Sequence, residues 1–293
     1  MREVGSSVPR RQLGRMLREA REQAGWGVDH AAEQFEWSRH KMYRIEQGAT
    51  SVRSLDVDQM CRIYGVADDK REAMVGLAKE TKAKGWWHSY GEVIPSWFEL
   101  YVGMESAASA IRTYDTTLIP GLLQTADYAR AIIQNRPGLT ERAVRDAVAL
   151  RMQRQDILTR TKPAPPMLEV MLDESVLLRP IGDADAWREQ LNHLIDTRRA
   201  YNISVRVLPL SIGPHRGTDT GSGFTLLDFP SVGMRPPEPT TVYVELLTGA
   251  LYLEKPDEVT AYDAVWEALR EAAWSVEESA SRIAAAIREI GDE

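Results

Sequence analysis

Residues 38–48 confine this chain more tightly than any other stretch, because the devices that make a short helix stand there in order. Ser38 is a good N-cap, since its hydroxyl can accept a bond from a free N–H of the first turn. Gly48 is a natural stop, because glycine takes up the left-handed conformation at little cost. Between them Met42 and Ile45 lie three apart and face inward. The opposite face carries Arg39, His40, Tyr43, Arg44 and Gln47, one continuous stripe of long polar side chains. The flanks agree with this. Leu13, Leu17, Ala20 and Ala24 make a single apolar stripe closed by Gly25. Val28 to Phe35 supplies a short second helix that buries Ala31, Ala32 and Phe35, with Glu36-Trp37 left as a tight turn. Trp26 and Trp37 read as packing residues. The pattern stays helical from residue 10 to about residue 84, and residues 1–9, with Gly, Ser and Pro, read as a flexible arm.

The polar stripe suits the major groove of DNA, where donors and acceptors line the base edges and an arginine can bond guanine O6 and N7 together. Lys41 lies beside the stripe, within reach of phosphate, and Thr50, Ser51 and Arg53 follow the helix where they can touch the backbone. Charged faces are commonly just solvated. Here cap, turn, stop and inward pair coincide, which favours a reading face over a plain helical hairpin. The net charge of −7 argues against a polyanionic partner only until its distribution is considered. Residues 1–85 hold 16 Lys/Arg against 13 Asp/Glu, and residues 86–293 hold 20 against 30. Only the N-terminal part can be drawn to phosphate.

Beyond residue 84 the pattern changes. Trp86, Trp87, Trp97, Phe98 and Tyr101 concentrate aromatic surface, followed by helical patterns at about 95–113, 125–135 and 140–160. Residues 161–166 (TKPAPP) break the chain, and apolar or alternating runs at 167–173, 203–208, 223–229 and 241–247 read as strands. A helix pattern at about 184–200 separates the first two, and 257–290 is helical again. Ser275 and Glu278 form a capping box before a helix with Ile283, Ile287 and Ile290 on one face. The expected architecture is α+β overall: an all-α helix-turn-helix domain at 10–84, then a larger mixed α+β domain at 85–293.

No catalytic constellation emerges, so the chain is expected not to be an enzyme and to need no cofactor or metal. The histidines His30, His40, His88, His193 and His215 form no paired ligand motif, and Cys61 stands alone, a small buried hydrophobe rather than part of a disulfide or zinc site. The loop 212–224 has glycines and hydroxyls but no Gly-Lys-Ser/Thr. It reads as a connector, with anion cradling by His215 and Arg216 as the lesser alternative. Thr125 reads as a helix cap and Asp173-Glu174 as a helix-start acid. With no apolar run of membrane length and no signal peptide at residue 1, a cytoplasmic protein without membrane contact is expected.

Residues 13–66 resemble the five-helix XRE-type domain of phage (lambda-like) repressors, on LREAREQAG (17–25), WSRHKMYRIEQG (37–48) and LDVDQMCRIYGV (55–66). The resemblance implies groove reading by Arg39, His40 and Arg44, and an ion pair between Arg21 and Glu46. The chain departs from that family at Gly27-Val28-Asp29-His30, where the family commonly opens the second helix with Ser/Thr-Gln, whose glutamine touches phosphate. Residues 86–290 resemble the C-terminal domain of WhiJ-like regulators of actinobacteria, on the Trp-Trp start, Glu105, PGLLQT (120–125) with Tyr128, and VYVELLTGALYLE (242–254). That resemblance implies an antitoxin-like regulator, often encoded next to a small partner protein, whose larger domain receives a signal; the expected signal is that partner or a ligand, and the same domain is expected to supply the dimer surface. Trp86, Trp87, Trp97, Tyr101, Glu105, His215 and Arg216 are the candidate partner or signal surface. The expected partners are double-stranded DNA and a second copy of the chain, because a homodimer sets two reading helices on half-sites roughly 34 Å apart. Two alternatives stay open: a small-molecule enzyme, and a protein–protein adaptor, each carrying a helix-turn-helix module.

Overall fold

The computed structural model describes residues 8–80, 96–231 and 238–290. The order begins with five helices: α1 (Val8–Gln23), α2 (Val28–Gln34), α3 (Arg39–Glu46), α4 (Ser54–Ile63) and α5 (Asp68–Glu80). α1 includes Val8 and Pro9, which were expected in the arm, and the rest of the expected arm, residues 1–7, lies outside the described residues. Leu13, Leu17 and Ala20 of α1 meet Ala31 and Ala32 of α2 and Met42 and Ile45 of α3 in one core. Val57, Met60 and Cys61 of α4 and Met74, Leu77 and Ala78 of α5 complete it. Phe35, Trp26 and Trp37 are half-buried against this core. Trp26 stands edge-on to Tyr64 at 5.6 Å, a packing geometry favoured by the aromatic quadrupole. Cys61 lies 3.6 Å from the Met74 sulfur, and burial pushes its thiol up to about 11, so it is an inert core residue.

α6 (Ser96–Ala107) follows, and its Glu99–Ala107 portion groups with α1–α5 in one compact unit. Arg11 of α1 reaches the Met104 sulfur there at 2.8 Å. The helix was expected to run to about residue 113, but it stops at Ala107, and Ala110–Asp115 forms strand β1. The physical reason lies in tertiary partners that override local propensity. Ala110 pairs with Met167 on one side and Asp228 on the other, so the segment is a central strand whose bonds all come from distant chain.

The second unit is built on a six-stranded sheet in the order β3-β2-β1-β4-β5-β6. Its further strands are β2 (Met167–Asp173), β3 (Ile203–Leu208), β4 (Phe224–Asp228), β5 (Thr241–Leu246) and β6 (Gly249–Leu253). β1, β2 and β3 are parallel, while β4, β5 and β6 are antiparallel to their neighbours. Between β1 and β2 lie α7 (Ala126–Ile133) and α8 (Glu141–Arg154), and between β2 and β3 lies α9 (Ala184–Asp196). The expected helices at 140–160 and 184–200 each end sooner and tighten into 3-10 turns, Gln155–Leu158 and Thr197–Arg199. α10 (Pro256–Ala272) sets Val265, Trp266 and Leu269 against Phe224, Leu226, Val242 and Val244 of the sheet. α11 (Val276–Glu289) opens with the Ser275–Glu278 capping box. Thr125 caps α7, and Asp173 caps the turn Glu174–Leu178, as expected from sequence. The whole is α+β, a helical N-terminal unit followed by a mixed sheet with helices.

Candidate nucleic-acid interface

α3 is seated by three independent devices. Ser38 accepts a hydrogen bond from the Lys41 N–H at 3.1 Å and fixes the first turn. Met42 and Ile45 are buried at 0% and 2% exposure, which commits one face to the core. At the far end Glu46 is buried against Arg21, whose Nε and Nη2 donate to its two carboxylate oxygens at 2.6 and 2.9 Å. Arg21 Nη1 donates in turn to the Trp26 carbonyl at 2.7 Å. Glu46 holds Arg21 more firmly charged than an ordinary arginine.

Two glycines bring α1 and α3 together. A Cβ on Gly14 would stand 2.6 Å from the carbonyl oxygens of Ile45 and Glu46. Gly48 has φ +66°, and a Cβ there would lie 2.6 Å from Arg11 Cα. The turn between α2 and α3 holds a non-glycine residue, Glu36, at φ 54°.

With one face committed, the other is presented. Arg39, His40, Lys41, Tyr43, Arg44 and Gln47 are all exposed. They form one surface of donors, as their spacing led one to expect. Beyond the helix Ser51 and Arg53 are exposed and Thr50 is half-buried. Three of these cations have partners within the chain. Arg39 stands 3.4 Å from Asp29 of α2, with both side chains largely exposed. Arg53 makes two bonds of 2.9 Å to Asp56, which raises its already high pKa. The Lys41 ammonium sits 3.7 Å over the Trp37 ring. Asp29 was legible in sequence as a departure from the family pattern, but its partner was not. Asp56 as the restraint on Arg53 was missed, although a carboxylate three residues after an arginine is a usable signal.

Of the candidate partner residues, Trp86 and Trp87 lie outside the described residues, as does the side chain of Trp97. Tyr101 and Glu105 are buried at 7% and 1% exposure, so they offer no face to a partner. Tyr101 to Ser106 are buried without a break, so the helix has no exposed face there. His215 is half-buried, and its Nδ1 accepts a bond from the Gly217 N–H at 3.1 Å, capping the turn Arg216–Thr220. Arg216 alone of the described members is exposed. Thr218 and Thr220 bond within the same loop, so it is an ordered connector.

In the second unit Asp115, at the end of β1, is pushed up to about 7 by burial, with Glu245 adding in the same direction and Arg151 opposing. No group of three or more His, Cys, Asp or Glu suited to a metal exists among the described residues. Among them too, no helix is long and apolar enough to cross a membrane.

A short helical hairpin presenting a capped helix, with a polar outer face, is the arrangement of a helix-turn-helix domain, and residues 12–74 match the family described as "Helix-turn-helix domain". Residues 98–285 match the "Domain of unknown function (DUF5753)", which spans more than half of the chain, and the chain belongs to that family. No curated protein and no solved structure matches it.

Proposed function

We propose that this chain is an XRE-type transcriptional regulator of the WhiJ-like, antitoxin-like kind, working in the cytoplasm as a homodimer on DNA. The observation that carries the reading is the face of α3, with Arg39, His40, Tyr43, Arg44 and Gln47 exposed together on a helix locked to its neighbours. In this reading Arg39 and Arg44 read base edges, and Lys41, Ser51 and Arg53 fix register on phosphate. Asp29 and Asp56 temper two of these arginines, so binding exchanges internal ion pairs for contacts to DNA. Pairs whose arginine is exposed contribute little, so a guanine edge or phosphate displaces them readily.

The larger unit is assigned the signal. A small protein encoded nearby would prefer one arrangement of the chain and shift the population away from the DNA-competent dimer, by no more than its differential affinity for the two states. No reaction is assigned to it. The test is selection of bound sequences from a random duplex library. Enrichment of a two-fold symmetric site with half-sites about one helical turn apart supports the reading. A library that emerges unenriched at low and at moderate salt rejects sequence-specific binding and promotes the adaptor reading.

A further inference from the structure

Charge is segregated within the larger part of the chain. Residues 126–162 hold eight Lys/Arg against four Asp/Glu, whereas the rest of 86–293 holds 12 against 26. The net charge of that part, which by sequence left phosphate to the N-terminal part, conceals this division. The basic stretch contains α7 and α8, so an excess of positive charge falls on one helical hairpin of an acidic unit.

The hairpin turns those charges outward. Ala129 and Ile133 of α7 pack on Val144 and Val148 of α8. The short connection 134–140 makes the two helices antiparallel neighbours, and Thr140 caps α8 by accepting a bond from the Ala143 N–H at 3.2 Å. Arg130 comes one residue after Ala129, and Arg145 one residue after Val144, so each is turned about 100° from the seam in its own helix. In an antiparallel pair that turn brings both to the same side of the hairpin, and both are exposed. Arg142, a turn before Arg145, and Arg136, in the connection, are exposed too. Arg130 and Arg136 have no ion-pair partner among the described residues. Arg142 and Arg145 stand 3.7 Å from Asp146 and Glu141 of their own helix, a distance and an exposure at which a pair holds weakly.

We propose that the outward face of α7 and α8, with Arg130, Arg136, Arg142 and Arg145, is a second contact to duplex DNA, one that grips the phosphate backbone without reading sequence. This rests on the DNA-binding reading above and extends it to the larger unit. Three considerations select DNA as occupant. A polyanion complements a face that gathers positive charge, and the acidic surroundings repel it from the rest of the unit. All four residues are arginines, whose planar forks can hold two phosphate oxygens at once. A protein partner calls for an apolar anchor, and the large apolar side chain exposed on this hairpin is Leu139, 38% exposed and in the connection rather than on either helix.

The test uses the full chain on its promoter duplex and on random duplex, across a salt series. Arg130→Gln, Arg136→Gln, Arg142→Gln and Arg145→Gln combined should weaken binding to both duplexes by the same factor, about tenfold or more. The dependence on salt should fall by about one unit of slope for each arginine that meets a phosphate. Arg198→Gln with Arg199→Gln, at two exposed arginines just after α9, should change both quantities little. Equal thermal unfolding checks that each variant is folded, and sedimentation velocity reads its oligomeric state. Unchanged affinity and slope in the four-residue variant overturn the proposal. So does a loss per charge as large in the Arg198 and Arg199 variant, which would be the effect of net charge alone. So does a loss that comes with dissociation of a dimer, which would make the face a protein contact. Weakened binding of the four-residue variant to random duplex, in a protein without promoter preference, rejects the regulator reading and leaves the face standing. Promoter preference that the four-residue variant keeps at full affinity rejects the face alone.

Discussion

Arg21 and Glu46 form a two-point ion pair that is almost completely buried, at 5% and 4% exposure, and it ties the end of α1 to the end of α3. Its third bond, to the Trp26 carbonyl, draws the α1–α2 turn into the same joint. Removing one partner strands the other charge in a place without water, which costs about 3–5 kcal/mol, whereas replacing both by apolar groups costs far less. Glu46→Ala should therefore sharply lower hydrogen-exchange protection in α1 and α3 of the full chain, and Arg21→Met with Glu46→Leu should restore most of it. Unchanged protection in Glu46→Ala would show that the pair does not hold α3.

Gly14 should tolerate nothing larger. Its missing Cβ is what lets α1 reach the carbonyls of Ile45 and Glu46. Gly14→Ala helps the isolated helix by roughly 1 kcal/mol of propensity. It should nonetheless destabilise the unit, because backbone on both sides must move apart. A thermal midpoint equal to or above wild type would show that the two helices have slack between them.

Asp29 restrains Arg39 from α2, so Asp29→Asn should free a cation and remove a charge that repels phosphate. Affinity for random DNA should rise severalfold, with a steeper dependence on salt. The preference for the specific site should stay unchanged, since the gain is common to all sequences. A loss of affinity confined to the specific site would mean that Asp29 accepts a bond from a base.

Asp115 links the second unit to pH. Its folded value of about 7 lies above the value of an unfolded aspartate, so the protonated form is the one the fold favours. The stability this contributes is complete below about pH 4. It is lost as pH rises through 7. Asp115→Asn, which cannot ionise, should flatten that decline and be the more stable protein at pH 8. Equal slopes for the two proteins between pH 5 and 8 would remove Asp115 from the linkage.

What sequence could disclose followed from the range of the interactions. Ser38, Gly48, Thr125 and the Ser275–Glu278 box are local devices whose partners lie within a turn or two, and each stands where its neighbours implied. The inward pair Met42 and Ile45 follows from helical spacing alone. β1 was hidden because Ala107 and Ala108 continue a helical pattern, while the partners that make it a strand are 57 and 118 residues away, from Ala110 to Met167 and Asp228. Tyr101 and Glu105 looked like surface because burial depends on what covers α6, which no spacing reveals. The meeting of Asp29 with Arg39 likewise depends on how α2 crosses α3.

The central claim is that the face of α3 reads DNA sequence. Fluorescence anisotropy of the full chain on its own promoter region and on random duplex, across a salt series, tests it most directly. Wild type should prefer the promoter, and Arg39→Ala or Arg44→Ala should each lose about 1–3 kcal/mol on it while random DNA changes little. Equal affinity for both duplexes at every salt concentration, or equal losses on both in the arginine variants, would contradict the claim.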